Sequence, residues 1–149
     1  MVKRFIYPPM WLLLGLIAIF TLNELYPLLR FTGLAAQVVG GGIIVIGLLL
    51  LVLANGLFLR AGTDAIPFRK VSTLVTHGVY RYTRNPMYLG MVAVLLGCAV
   101  TVGALSALPV PLVFAAIIQA RFIVPEENML RTLFPDQYPA YCERVRRWI

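Results

Sequence analysis

Residues 87–119, Met87-Tyr-Leu-Gly-Met-Val-Ala-Val-Leu-Leu-Gly-Cys-Ala-Val-Thr-Val-Gly-Ala-Leu-Ser-Ala-Leu-Pro-Val-Pro-Leu-Val-Phe-Ala-Ala-Ile-Ile-Gln119, carry no charged side chain. A helix that crosses a bilayer core of about 30 Å needs roughly 20 mostly apolar residues. The stretch is therefore too long for one crossing and too apolar for a soluble surface. Its middle, Gly103-Ala-Leu-Ser-Ala-Leu-Pro-Val-Pro111, supplies turn residues. The reading is a tight helical hairpin, with spans over about 86–102 and 105–124.

Working outward, two further apolar runs precede it. One covers about 9–29, with Trp11 near one end and Tyr26-Pro27 near the other, as interface anchors are placed. The second, about 38–59, is uncharged. The whole chain of 149 residues is 60% hydrophobic and 13% charged, with mean hydropathy +0.87. Soluble domains carry about 25% charged residues. The expectation is an all-α polytopic membrane protein, a single domain over 1–149 with about four spans. No small-residue cleavage pattern follows Met1-Val-Lys-Arg, so no cleavable signal is expected.

The net charge of +7 does not point to nucleic acid, because the basic residues flank apolar spans, where they set topology and touch anionic lipid heads. Lys3 and Arg4, then Arg60, Arg69, Lys70, Arg81 and Arg84, then Arg121, Arg131, Arg144, Arg146 and Arg147 leave only Arg30 for the first connecting loop. The positive-inside rule puts both termini and the 60–86 segment in the cytoplasm, which requires an even number of spans. Cys98 and Cys142 sit in unlike contexts and have no metal-ligand spacing, so neither a disulfide framework nor a metal site is expected.

Against this background, His77-Gly-Val-Tyr-Arg-Tyr-Thr-Arg-Asn-Pro-Met-Tyr-Leu-Gly90 is a polar, basic, aromatic island. A second polar element follows the last span. Val124-Pro-Glu-Glu-Asn-Met-Leu-Arg-Thr-Leu-Phe134 reads as a helix started by Pro125, with Glu126 and Glu127 at the positive end of its dipole. After a Pro-Asp break, Tyr138 to Ile149 mixes Tyr, Arg and Trp as an interfacial segment does. The segments of about 76–90 and 124–147 should meet on the cytoplasmic side. Together they suit a ligand with an ammonium, a carboxylate and an aromatic base: a Glu for the first, an Arg or backbone N–H groups for the second, a Tyr-lined slot for the third. S-adenosylmethionine has those parts, and other nucleotide cofactors share much of the set. Plainer readings stand beside these. The tyrosines double as interface-belt aromatics, and Arg144, Arg146 and Arg147 as lipid-head anchors. Gly40-Gly41-Gly42 reads as a close-packing or helix-entry feature.

His77-Gly78-x-Tyr80, Arg84-Asn85-Pro86-x-Tyr88-x-Gly90 and Glu126-Glu127-x-x-Leu130, in this order and separated by one apolar hairpin, resemble the isoprenylcysteine carboxyl methyltransferase and phospholipid methyltransferase family of integral-membrane enzymes. Phe134, Tyr138, Tyr141 and the Arg144–Trp148 ending also look like its tail. The resemblance covers about the last 75 residues, and the family often has His where this chain has Asn85. It implies a cytosol-facing pocket for S-adenosylmethionine with a lateral opening toward a lipophilic acceptor: an isoprenylcysteine-like carboxylate, a phospholipid amine or a small thiol. Carried over by position, His77, Gly78, Tyr80, Arg84, Asn85, Pro86, Tyr88 and Gly90 form one wall of the cofactor site, and Glu126 and Glu127 the other. By location alone, Arg84, Arg121 or Arg131 suits an acidic acceptor or a lipid phosphate, and the catalytic candidates are Arg84, Glu127 and Arg131. Arg-x-Pro-x-Tyr also resembles sterol-type reductases that bind NADPH, which gives a rival reading. A small proton-coupled exporter is a third, disfavoured because the ionisable groups cluster in cytoplasmic segments instead of at the bilayer midplane.

Overall fold

The computed structural model describes residues 7–60 and 73–149. Lys3, Arg4, Arg69 and Lys70 of the charge argument lie outside these residues. The described chain is helical: α1 (Pro8–Leu25), α2 (Leu34–Arg60), α3 (Pro86–Val102), α4 (Pro109–Ile118), α5 (Val124–Leu133) and α6 (Gln137–Arg144). Prolines open α1, α3 and α4. A proline at a first-turn position gives up an N–H that has no partner there, and its fixed φ suits the helix.

Three helical stretches are long and apolar enough to cross a membrane: Pro8–Leu25, Leu34–Arg60 and Leu105–Leu133. The fourth apolar helix, α3, has 17 residues, the short end of the roughly 17–25 that suffice. Gly103 (φ +67) ends α3 in the left-handed region, and a single 3-10 turn, Leu105–Ala107, leads into α4.

The α2–α3 crossing is the centre of the architecture. The buried residues of α2 are Gly40, Gly47 and Ala54, a line of small residues at seven-residue spacing, while its other faces carry exposed Val and Leu. A helix that is apolar all round but buries one narrow seam is lipid-facing. The facing residues on α3 are Gly90 and Gly97. A Cβ on Gly47 would lie 2.7 Å from the Gly90 carbonyl oxygen, and one on Gly97 would lie 2.6 Å from the Gly40 carbonyl oxygen. Gly47 opposite Gly90 and Gly40 opposite Gly97 define an antiparallel pair, with glycine on both sides at each close approach. Of the Gly40–Gly42 run, only Gly40 serves this seam; Gly41 and Gly42 have nothing within 4 Å of an added Cβ.

At the end away from the polar blocks, the two connections are joined. The Phe31 N–H donates to the Gly103 carbonyl (2.8 Å) and the Leu105 N–H to the Leu29 carbonyl (3.0 Å). Arg30 caps α1 by donating to the Asn23 carbonyl at 2.9 Å.

The structure corrects one local expectation. Val124-Pro125 does not start a separate helix. It continues α4 through a wider π-turn at Gln119–Ile123, in which the Val124 N–H reaches back to the Gln119 carbonyl. Pro125 has no N–H for the Arg121 carbonyl, and its ring would crowd that carbonyl in a regular α-helix. Widening the preceding turn resolves both problems without ending the helix. Glu126 and Glu127 thus sit in mid-helix and not at a free, positively polarised helix end.

Candidate functional site

The site is built where the start of α3, the turn before it, α5 and the C-terminal residues converge. Pro86, fully buried, opens α3. One turn of 3-10 helix at Gly78–Arg81 precedes it. Gly78 (φ +62) is in the left-handed region, and a Cβ there would lie 2.7 Å from Leu57 Cδ1. Gly78, Pro86 and Gly90 therefore shape the backbone. Gly90 does so by meeting α2 two residues after Tyr88.

Glu127 is 5% exposed and is shared by two guanidinium groups. Arg147 takes it as a fork, Nε to Oε1 at 3.0 Å and a terminal nitrogen to Oε2 at 2.8 Å. Arg84 reaches Oε1 at 3.2 Å. A two-pronged arginine–carboxylate contact is among the strongest polar pairings, and burial of one partner raises the cost of breaking it. The bond to Glu127 holds Arg147 above the usual arginine range. On the adjacent face, the Tyr88 hydroxyl donates to Glu126, 3.1 Å from each carboxylate oxygen.

The C-terminal residues also hold the Arg84 segment by its main chain. The Arg84 N–H donates to the Arg146 carbonyl (3.0 Å). The Arg147 carbonyl accepts from Asn85 Nδ2 (2.9 Å) and from Thr83 Oγ1 (3.3 Å). Trp148 Nε1 donates to Gln119 Oε1 at 2.8 Å, tying the same segment to the π-turn.

Buried tyrosines pack beside this cluster. Tyr80 is buried with its ring edge-on to Phe58, centroids 5.3 Å apart, and its carbonyl accepts the Tyr141 hydroxyl at 2.6 Å. Tyr138 and Tyr141 are buried beside each other. Burial is the main cause pushing the phenols of Tyr80, Tyr138 and Tyr141 well above their ordinary value. The Glu127 charge adds to the rise at Tyr138, while Arg84 opposes it at Tyr141.

Of the residues singled out in sequence, Arg84, Tyr88, Glu126 and Glu127 are brought into polar contact across the two blocks. Asn85 fastens the C-terminal segment. His77 is exposed at the edge of the 3-10 turn, and Arg131 is exposed in the last turn of α5. Arg131 does not take part in the ion pairs around Glu127 among the described residues. Sequence reasoning missed Arg147, which it assigned to lipid heads, and Thr83. The sequence holds no clear signal for Arg147, because the need for a second counter-charge follows from the burial of Glu127. Among the described residues, no group of three or more His, Cys, Asp or Glu side chains could hold a metal ion.

This arrangement brings two carboxylates, two guanidinium groups and several phenols together at one end of an apolar helix bundle. The phospholipid methyltransferase family model matches residues 35–137. The chain is similar to the solved structure of the eukaryotic intramembrane Ras methyltransferase, isoprenylcysteine carboxyl methyltransferase. The TM-score is 0.65 and the identity 25%, over 95% of this chain and 51% of that one. The chain thus spans about half the length of that protein. No curated protein matches the sequence. With the α2–α3 core and both polar blocks inside or adjoining the matched region, this integral-membrane chain belongs to the phospholipid methyltransferase family.

Proposed function

We propose that the protein is an S-adenosylmethionine-dependent methyltransferase acting on a lipophilic or amphiphilic acceptor at the cytoplasmic end of a four-span bundle. One observation carries the reading: the two motif blocks, 77–90 and 126–130, meet through Tyr88 on Glu126 and Arg84 on Glu127, with Arg147 of the tail on the same Glu127. The donor set fits the cofactor. The ammonium is assigned to Glu126, whose carboxylate is oriented by the Tyr88 hydroxyl, 3.1 Å from each oxygen. Arg84, whose Nε is buried and has no hydrogen-bond partner, is assigned an anionic group. Tyr80 and its neighbours Tyr138 and Tyr141 form an apolar wall for an aromatic base.

When bound, S-adenosylmethionine supplies a methyl carbon already activated by its sulfonium. The protein therefore needs no covalent nucleophile. Its residues align the partners and keep water out, and good alignment removes several kcal/mol of a bimolecular barrier. A carboxylate acceptor needs only a positive neighbour, which Arg84 provides. An amine or thiol must first lose a proton.

The test is calorimetric titration of detergent-purified protein with S-adenosylhomocysteine and, in parallel, NADPH. Micromolar binding of the first and none of the second supports the proposal. Binding of NADPH alone moves the protein to the reductase class, and binding of neither by folded protein refutes both.

A further inference from the structure

The three-residue cluster is asymmetric. Arg147 spends two N–H groups on Glu127, one on each oxygen. Arg84 touches the same carboxylate through one nitrogen, at the longer distance of 3.2 Å. The Nε of Arg84 is buried with no hydrogen-bond partner, and its side chain is only 11% exposed. A guanidinium has five N–H donors in a planar fork, and leaving a buried one unused is unfavourable unless something takes it up. One carboxylate between two guanidinium groups leaves this trio with a net positive charge, beside the separate Glu126–Tyr88 contact.

Suppose Arg147 were removed. Glu127 Oε2 would lose its partner, and the nearest cation able to replace it is Arg84, already on Oε1. The two would close into a two-pronged, neutral pair, the favoured geometry for these groups. Arg84 would then have two of its five donors committed and its charge matched by one carboxylate, which weakens its hold on any further anion.

We propose that Arg147 is a positioning residue: by occupying Glu127 with its own fork, it keeps Arg84 available for the carboxylate or phosphate of a bound ligand. The proposal rests on the methyltransferase reading for the identity of that ligand. The main-chain bonds from residues 146 and 147 to Thr83, Arg84 and Asn85 set the distance at which the fork works.

The experiment uses the full-length chain in detergent and four proteins: wild type, Arg147→Lys, Arg147→Gln and the double variant Glu127→Gln/Arg147→Gln. Two carboxylate probes are titrated against uncharged-end controls: S-adenosylhomocysteine against its decarboxylated analogue, and S-farnesylthioacetic acid against its amide. The first pair reports a cofactor carboxylate, the second an acceptor acid. The expected result is a loss of tenfold or more in Arg147→Gln for one of the acids, with its control unchanged. Arg147→Lys should recover part of the loss, since a point charge cannot form the fork. The double variant should recover most of it, because a neutral amide in place of the Glu127 carboxylate no longer ties up Arg84. A merely structural strap would weaken acid and control alike and leave the double variant no better than the single one; that pattern overturns the proposal. So does unchanged binding of both acids by folded Arg147→Gln. Wild-type protein that binds none of the four probes overturns the methyltransferase reading along with this one, whereas binding by wild type without the Arg147 effect overturns this one alone.

Discussion

Gly47→Ala adds one methyl group at the closest point of the α2–α3 crossing. The new Cβ would lie 2.7 Å from the Gly90 carbonyl oxygen and 2.9 Å from the Val94 nitrogen, both backbone atoms that cannot rotate away. Ordinary contact begins near 3.4 Å, so α2 must withdraw from α3 by about 0.7 Å, the difference between 3.4 and 2.7 Å. Overpacking of this kind costs about 1–3 kcal/mol, against which the alanine recovers about 0.5–1 kcal/mol of helix preference. The net expectation is a loss between about 0 and 2.5 kcal/mol, centred near 1 kcal/mol. Gly42→Ala, five residues away on the same helix, meets nothing within 4 Å and should be neutral or stabilising by up to about 1 kcal/mol. Thermal unfolding of both variants in detergent micelles, followed by far-ultraviolet circular dichroism, reads the contrast. The displacement also reaches Tyr88, two residues before Gly90, so affinity for S-adenosylhomocysteine should fall in Gly47→Ala and hold in Gly42→Ala. Equal melting temperatures for the two variants, or a more stable Gly47→Ala, would refute the glycine-seam argument.

Other consequences are equally direct. Glu127→Gln leaves the Arg84 and Arg147 guanidinium groups, 11% and 35% exposed, without their shared counter-charge. Breaking a fully buried pair costs about 3–5 kcal/mol, and discounting the exposed side of Arg147 for solvent screening gives about 2–3 kcal/mol, readable as a lower melting temperature. Tyr141→Phe removes the 2.6 Å bond to the buried Tyr80 carbonyl and should cost about 1–3 kcal/mol for the unsatisfied acceptor; a melting temperature equal to wild type would count against α6 as a brace for the site. The phenols of Tyr80, Tyr138 and Tyr141 have folded pKa values raised by burial above the ordinary 10.0. The unfolded chain therefore loses these protons first. Stability is fully present below about pH 10 and falls as pH rises above it, and a pH series of melting temperatures from about 8 to 12 should show that decline and weaken with Tyr141→Phe.

Much of the fold was legible because lipid imposes simple rules. An uncharged run of the length of 87–119 cannot be one helix, and Gly103 at its centre does adopt the left-handed turn conformation that ends α3. The glycines were legible in kind but not in position. A run of three at 40–42 draws the eye, yet only Gly40 is used, and its partners in the seam lie seven residues on and on another helix. In sequence Pro125 reads as a helix start, because a proline followed by two acids usually is one. The preceding apolar helix continues into it, and the π-turn absorbs the missing N–H, a tertiary solution that local sequence does not announce. In the site, Arg84, Tyr88, Glu126 and Glu127 stood out by their motif spacing. Arg147 did not, because three arginines beside a tryptophan at the end of a membrane chain have a sufficient explanation in lipid anchoring. Only the burial of Glu127 shows that one of them is needed elsewhere.

The central claim is that the Glu126–Tyr88 and Arg84–Glu127 cluster serves methyl transfer to a lipophilic acceptor. The most direct measurement is incubation of the purified protein, in vesicles of a total lipid extract, with S-adenosylmethionine labelled in its methyl group, followed by counting of the organic-soluble fraction. The account requires label in that fraction with wild-type protein and at least a tenfold loss with Glu126→Gln at an unchanged melting temperature. Label transferred equally well by Glu126→Gln would contradict the site assignment. No transferred label with folded wild-type protein, across prenylated acids, phospholipid amines and lipophilic thiols added in turn, would contradict the function.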